Sequence, residues 1–153
     1  MIANPQSIPP DGRHRYELRV YYEDTDAGGV VYHANYLRFA ERARTEALRA
    51  LGIPHAEMVE RFSSMFLVRR AEVDYLRPAR IDEQLCIETE VEDVRGASAR
   101  LRQSVHGPAG LCADMRVRLA CVQLGRNKPA LIPPRWRDTL AAMRDAGRRG
   151  HTD

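Results

Sequence analysis

The stretch VVYHANYLRFAERARTEALRALGIP, residues 30–54, decides the fold. Apolar residues recur through it every three or four positions with charged residues between them, which is the pattern of an amphipathic helix. Gly52 stands where a glycine commonly ends a helix, and Pro54 follows it. We therefore predict one long helix that runs from about His33 to Leu51.

Strand patterns lie on both sides of this helix. Residues 14–22 are rich in Tyr and Val, and residues 63–124 contain three segments in which apolar and polar residues alternate. Turn residues at 95–96 and 107–110 join those three segments, so we predict an antiparallel meander. A shorter helix is predicted over residues 54–61, between the long helix and the strands.

A sheet whose strands alternate in this way has one apolar face to cover, and the helix of residues 33–51 is the long helix available to cover it. The sequence therefore predicts an α+β domain over residues 14–147, in which a helix lies across an antiparallel sheet. Residues 1–13 hold three prolines and little periodicity, which indicates a flexible arm. Residues 133–147 are expected to form a terminal amphipathic helix, and residues 148–153 a basic and polar tail.

Composition excludes several classes of protein. The 153 residues carry a net charge of only +3, which is too small an excess to indicate nucleic-acid binding. No window approaches the roughly 20 apolar residues that cross a bilayer, and the first residues lack the features of a signal peptide, so a cytoplasmic location is expected. The three cysteines have no CxxC spacing, so packing roles are predicted for them, and neither a zinc site nor a disulfide framework.

The polar loop ahead of the long helix, residues 23–29, carries the candidate chemistry. Asp24 and Asp26 stand two residues apart and are followed by paired glycines. The first turn of a helix presents free N–H groups and a partial positive charge, which polarise a carbonyl oxygen placed there. If Asp26 faces the same point, it can attack the carbonyl carbon or activate a water molecule. The arrangement therefore indicates acyl transfer.

Two blocks of this region carry a family resemblance. Residues 21–37, YYEDTDAGGVVYHANYL, and residues 41–46, ERARTE, resemble the 4-hydroxybenzoyl-CoA thioesterase family, and within it the tol-pal-associated (YbgC-type) acyl-CoA thioesterases. The likeness covers roughly residues 14–133. It implies a hotdog fold, in which an antiparallel sheet wraps a long helix. It also implies a homodimer or homotetramer with active sites at the subunit interface.

The resemblance also implies roles for individual residues. Asp26 becomes the catalytic carboxylate, the backbone N–H of His33 polarises the thioester carbonyl, and Glu41 lies near the acyl group. Ala40 stands where the family commonly has an aromatic residue, so the acyl pocket or the helix packing is expected to differ. The candidate substrate-binding residues are Tyr32, Glu41 and, for the CoA phosphates, Arg69, Arg70, Arg126 and Lys128.

The expected reaction is hydrolysis of an acyl-CoA to a free carboxylic acid and CoA, without a metal or another cofactor. Acyl carrier protein is a further expected donor or partner. Two other functions stay open, namely a hotdog hydratase or dehydratase that acts on enoyl thioesters, and a non-catalytic module that binds acyl-CoA or acyl carrier protein. Asp24 is expected to be structural, because aspartate is a common turn residue. A calcium loop is excluded, because Asn35 stands where the EF-hand pattern requires glutamate.

Overall fold

The computed structural model describes residues 4–150, which form one antiparallel sheet and three α-helices. Two short 3-10 turns, Pro5–Ser7 and Tyr22–Asp24, accompany them. The elements in chain order are β1 (Arg13–Arg19), α1 (Asn35–Ala50), α2 (His55–Phe62), β2 (Ser64–Tyr75), β3 (Gln84–Val94), β4 (Ser98–Gly107), β5 (Gly110–Gln123), β6 (Lys128–Pro129) and α3 (Pro134–Gly150).

The strands follow one another across the sheet in the order β1-β3-β4-β5-β2, and the two-residue β6 pairs with β5. Strands β3, β4 and β5 form the predicted meander, and every pairing is antiparallel. The long strand β2 lies at one edge of the sheet. Its register shifts between Val68 and Arg70, so Arg69 is the extra residue of a β-bulge.

Helix α1 lies across the sheet and supplies the centre of the core. Tyr36 and Phe39 are buried on its inner face together with three alanines, Ala40, Ala43 and Ala47. Because alanine has the smallest side chain that still favours a helix, this row lets the helix axis come close to the strands. The predicted helix-on-sheet arrangement is therefore present.

The end of α1 follows the glycine signal. Gly52 has a φ of 76°, its N–H donates to the carbonyl of Arg49 at 3.1 Å, and the N–H of Ile53 donates to the carbonyl of Leu48 at 2.9 Å. This pair of hydrogen bonds is the Schellman motif, which requires a residue in the left-handed region and so favours glycine. The chain is thereby turned directly into α2.

Helices α1 and α3 together cover the apolar face of the sheet. This corrects the prediction that one helix covers it. Trp136, Leu140 and Met143 are buried in the same core as α1, and the helix packs on β3. It continues to Gly150, three residues beyond the predicted end of the domain. The segment around Gly12, within the predicted flexible arm, packs against this helix; residues 1–3 and 151–153 lie outside the described part.

The connection from β2 to β3, residues 76–83, is a loop within the region that was predicted as strands. It holds the segment between β1 and α1 in place. The N–H of Val20 donates to the carbonyl of Glu83 at 2.9 Å, and the N–H of Val31 donates to the carbonyl of Ala79 at 2.8 Å. β1 ends at Arg19, earlier than predicted, because Tyr22–Asp24 turn in a 3-10 helix.

Candidate active site

Asp26 lies in a tight hairpin between β1 and α1. Thr25 pairs with Val31 in an isolated bridge, and the N–H of Asp26 donates to the carbonyl of Val30 at 2.9 Å. The Oδ1 atom of Asp26 accepts a hydrogen bond from the N–H of Gly28 at 2.8 Å. The side chain is exposed, and within residues 4–150 its Oδ2 atom makes no hydrogen bond. One carboxylate oxygen is therefore fixed and the other is available to a substrate or a water molecule.

Asp24 serves the loop as a structural residue, as expected. Its Oδ2 atom accepts a hydrogen bond from the N–H of Tyr21 at 2.8 Å. Its carbonyl accepts from the N–H of Tyr32 at 2.9 Å and from the Nδ2 atom of Asn35 at 2.8 Å. These contacts tie the start of α1 to the turn that precedes Asp26.

His33 lies in the turn before α1, because the helix begins at Asn35 and not near His33. The prediction is wrong by two residues because the N–H of Asn35 donates to the carbonyl of Tyr32 at 2.8 Å, which closes a turn ahead of the helix. Among the described residues, the N–H of His33 has no hydrogen-bond acceptor. The residue is exposed, so this amide is available as a donor.

Tyr75, at the end of β2, fixes the peptide that follows His33. Its hydroxyl donates to the carbonyl of His33 at 3.0 Å, and its ring packs edge-on against the rings of His33 and Tyr36, at centroid distances of 6.2 and 5.6 Å. The hydroxyl of Tyr36 in turn accepts from the N–H of Ala79 at 3.1 Å, and burial raises the pKa of Tyr36. Sequence reasoning missed Tyr75, because a strand pattern does not show which distant loop the last residue meets.

Tyr32 is exposed beside the site, and its ring lies 4.5 Å from that of His33 between centroids. Glu41 is exposed further along α1, where it lines a groove of about 330 Å³ between α1 and β2. The other lining residues are Arg44, Leu48, His55, Met65, Phe66, Leu67, Val68 and Leu119. Ala40 is fully buried against the sheet and does not line the groove, so its departure from the family pattern acts on helix packing.

His55 joins α2 to the wall of this groove. Its Nε2 atom accepts a hydrogen bond from the N–H of Phe66 at 3.1 Å, and the two rings stack at a centroid distance of 6.4 Å. Burial lowers the pKa of His55. The neutral ring is the form that can accept from Phe66, so the hydrogen bond and the burial favour the same protonation state.

The four basic residues predicted for the CoA phosphates are all exposed, but they do not form one cluster. Arg70 is level with Arg118 in the β2–β5 pairing and forms an ion pair with Glu72 at 2.7 Å. Along β5, the distance from Arg118 to the end of the strand at Gln123 is about 17 Å at about 3.4 Å per residue. Arg126 and Lys128 follow that end. Arg69 occupies the bulge of β2 beside Arg70.

Other candidate nucleophiles lack a suitable environment. Burial raises the pKa values of Cys86, Cys112 and Cys121, in the last case to about 11, so these thiols stay protonated and pack as apolar groups. The Nε2 atom of His106 lies 3.1 Å from the Oγ atom of Ser104 and 2.8 Å from a carboxylate oxygen of Glu88. Because both contacts use one ring nitrogen, this group cannot relay a proton as a catalytic triad does.

Within residues 4–150, no group of three or more His, Cys, Asp or Glu residues is arranged to hold a metal ion. Nor does any helix in that range have the length and the apolar character needed to span a membrane. The Asp26 carboxylate and the unpaired N–H of His33 are the candidate reacting groups at this site.

A long helix packed across a curled antiparallel sheet, with an aspartate hairpin ahead of the helix, is the architecture of hotdog-fold thioesterases. A family model described as "Thioesterase-like superfamily" matches residues 20–140. The chain belongs to this superfamily. The hotdog fold and the family resemblance predicted from the sequence are both confirmed.

Named relatives support the same assignment. The chain is 44% identical over 123 residues to the acyl-CoA thioesterase YbgC of Haemophilus influenzae, covering 80% of this chain and 90% of the relative. It is 46% identical over 121 residues to the acyl-CoA thioester hydrolase YbgC of Escherichia coli O6:H1, covering 78% and 89%. The crystal structure of a probable thioesterase from Bartonella henselae is 35% identical and superimposes with a TM-score of 0.75 over 79% of this chain and 99% of that one. The prediction of a thioester hydrolase is thus confirmed at the level of the family.

Proposed function

We propose that the protein hydrolyses acyl-CoA thioesters to a free carboxylic acid and CoA, with Asp26 as nucleophile or general base and the N–H of His33 as donor to the thioester carbonyl. The observation that carries this proposal is the presence, within residues 26–33, of a carboxylate oxygen and a backbone N–H that have no hydrogen-bond partner in the described part of the chain. The names of the YbgC relatives support the same reaction.

Either role of Asp26 gives a balanced reaction. As a base, the carboxylate takes a proton from water, and the resulting hydroxide attacks the carbonyl carbon. The carbonyl oxygen becomes negatively charged and accepts from the N–H of His33, after which the C–S bond breaks and the CoA thiolate takes the proton from Asp26. As a nucleophile, Asp26 attacks directly and forms a mixed anhydride as the CoA thiolate leaves. Water then hydrolyses the anhydride, which regenerates the Asp26 carboxylate and releases the acid, and a proton from that water converts the thiolate to free CoA.

The proposal is tested by release of free CoA, followed with a thiol reagent, from a panel that runs from acetyl-CoA to palmitoyl-CoA and includes benzoyl-CoA. We expect thiol release from at least one member at a kcat of about 1 s⁻¹ or more. Saturable binding without thiol release would favour a binding module instead. Loss of the ultraviolet absorbance of an enoyl-CoA without thiol release would favour a hydratase.

We propose further that the active form is a homodimer paired through β2. This strand is 12 residues long and lies at the edge of the sheet, where unpaired backbone N–H and C=O groups are a template for pairing with a second chain. Beside its charged residues it exposes Leu67, Val68 and Tyr75, whose burial would favour that pairing. Because Tyr75 contacts His33, such pairing places the site next to the interface. Sedimentation equilibrium measures the mass of the protein in solution and so tests the dimer.

Four further expectations stay predictions: the tetramer, acyl carrier protein as a partner, the four basic residues as phosphate ligands, and the cytoplasmic location.

Tyr75 offers a test of the amide's position. In Tyr75→Phe the ring packing on Tyr36 is kept, but the hydrogen bond to the carbonyl of His33 is lost. We expect kcat to fall about fivefold, because a neutral hydrogen bond contributes about 1 kcal/mol and about 1.4 kcal/mol corresponds to a tenfold change in rate, while KM changes little. Steady-state kinetics and thermal unfolding measure the two effects. An unchanged kcat would show that the Tyr75 hydroxyl does not position His33.

A further inference from the structure

Arg44 is a half-buried charged residue of α1 on the side of the groove. It lines the open α1–β2 groove, and it also lines a small apolar cavity beneath it with Leu51, Val91 and Met143. Its surroundings lower the pKa of its guanidinium through burial, and Glu41 opposes that effect. Arginine remains charged under such conditions, so the groove contains a positive charge in a largely apolar wall.

The contacts of Arg44 leave most of its donors unused. Its Nη1 atom donates to the Oε1 atom of Gln103 at 3.0 Å, and this is its one hydrogen bond within residues 4–150. Gln103 is fully buried, and its Nε2 atom donates to the carbonyl of Ala40 and to the hydroxyl of Thr89. Gln103 therefore has fixed partners, and it holds the guanidinium in one orientation.

The unpaired donors of Arg44 keep some exposure. A guanidinium carries five N–H donors in a planar fork, and none of the nitrogen atoms of Arg44 is both fully buried and unpaired. Arg44 lines the groove together with Leu48, Phe66 and Leu119, so a ligand in the groove lies beside this side chain. No carboxylate forms an ion pair with Arg44 in the described part of the chain; the charge that acts on its pKa there is that of Glu41, one helical turn away.

The position of Arg44 along α1 relates it to the proposed reaction centre. At about 1.5 Å per residue, Arg44 lies about 14 Å along the helix from Asn35, and its side chain points back toward the helix start. Glu41 lies one turn nearer to that start and is exposed, so water screens its charge. The residues of α1 that line the groove begin at Glu41, so an acyl chain whose carbonyl meets the N–H of His33 must pass along the first turns of α1 before it enters the groove. A chain of medium length on this path would bring its far end to the guanidinium.

Resting on the proposed thioesterase activity, we propose that Arg44 binds a carboxylate at the far end of the acyl chain, so that the preferred substrates are ω-carboxyacyl-CoA thioesters. The planar fork of arginine matches a carboxylate and binds it through two parallel hydrogen bonds. The apolar residues of the groove, which include Leu48, Phe66 and Leu119, fit the methylene chain between the two ends.

The test compares matched pairs of substrates that differ only at the far end. Adipoyl-CoA, suberoyl-CoA and sebacoyl-CoA are assayed beside hexanoyl-CoA, octanoyl-CoA and decanoyl-CoA for thiol release by the wild type, Arg44→Met, Arg44→Lys and the control Arg49→Met. Arg49 is an exposed arginine on the same helix, paired with Glu46. Thermal unfolding of each variant is measured in parallel.

In the wild type we expect at least one carboxylated substrate to exceed its alkyl partner in kcat/KM by about tenfold or more. Arg44→Met should remove that preference, Arg44→Lys should keep part of it, and Arg49→Met should leave it unchanged. A merely structural Arg44 predicts an equal loss with both members of each pair. That result, or a wild type that prefers the alkyl member of every pair, overturns the inference.

The wild-type comparison decides the question even if Arg44→Met does not fold. It also separates this inference from the proposed function. Hydrolysis of alkyl substrates without a carboxylate preference contradicts the role of Arg44 alone. The absence of thiol release from every CoA ester contradicts the thioesterase proposal and the inference with it.

Discussion

Replacing Asp26 with asparagine is expected to lower kcat by about 10³-fold or more, the range found when the attacking or proton-accepting group of a hydrolase is removed. The asparagine Oδ1 atom can still accept the hydrogen bond from the N–H of Gly28, so the hairpin keeps its shape. What is lost is the charged oxygen, because an amide neither takes a proton at neutral pH nor attacks a thioester.

The measurement is thiol release under substrate saturation, together with circular dichroism to show that the variant is folded. Asp24→Asn is the matched control, since it makes the same chemical change two residues away. Asp24 accepts a hydrogen bond from the N–H of Tyr21. We therefore expect Asp24→Asn to cost about 1 kcal/mol of stability and to change kcat far less than Asp26→Asn does. Near-normal turnover by a folded Asp26→Asn protein would exclude both roles proposed for this carboxylate.

Gly12→Ala is expected to destabilise the fold by about 2–5 kcal/mol, from overpacking together with a left-handed backbone. Gly12 has a φ of 71°, and a Cβ atom placed on it would lie 2.3 Å from the backbone nitrogen of Gly147 and 2.8 Å from the carbonyl oxygen of Met143. These are backbone atoms of α3, so no side chain can move aside. The variant must separate the N-terminal segment from the helix that covers β3.

Gly125→Ala provides the control for this prediction. Gly125 has a φ of 82°, and nothing lies within 4 Å of the position that a Cβ atom would take. Gly125→Ala therefore has the cost of a left-handed backbone without a steric collision, and we expect the free energy of unfolding to fall by about 1–2 kcal/mol. Urea unfolding of both variants gives the two values. Equal losses would mean that the contact between Gly12 and Gly147 contributes nothing to stability.

The sequence predicts the elements that local patterns define. The alanine-rich face of α1, the Gly52 signal at its end and the alternation in β3, β4 and β5 all depend on residues near one another in the chain, and each is present. The hairpin around Asp26 also follows from its paired glycines. Family resemblance, and not periodicity, makes Asp26 and His33 the candidates for the reacting groups.

Long-range contacts could not be predicted in the same way. The start of α1 moves to Asn35 because the preceding turn is closed by Tyr32 and anchored to Asp24. The pairing of Tyr75 with His33 joins residues 42 positions apart. The partial burial of Arg44 depends on Gln103, which lies on β4. The turn at Tyr32 is local and only moves a helix boundary, whereas the partners of Tyr75 and Arg44 are decided by how the sheet curls around α1, which no local pattern encodes.

The segment that carries the candidate groups, residues 26–33, is held in place by hydrogen bonds from a loop that is distant in the sequence. The loop before β3 holds Val31 through the carbonyl of Ala79, and the N–H of Ala79 is itself bound by Tyr36. No short fragment that contains Asp26 and His33 carries these ties. Catalytic competence should therefore disappear in the same cooperative transition as the whole tertiary structure, so that residual turnover along a denaturation curve reports the folded population directly.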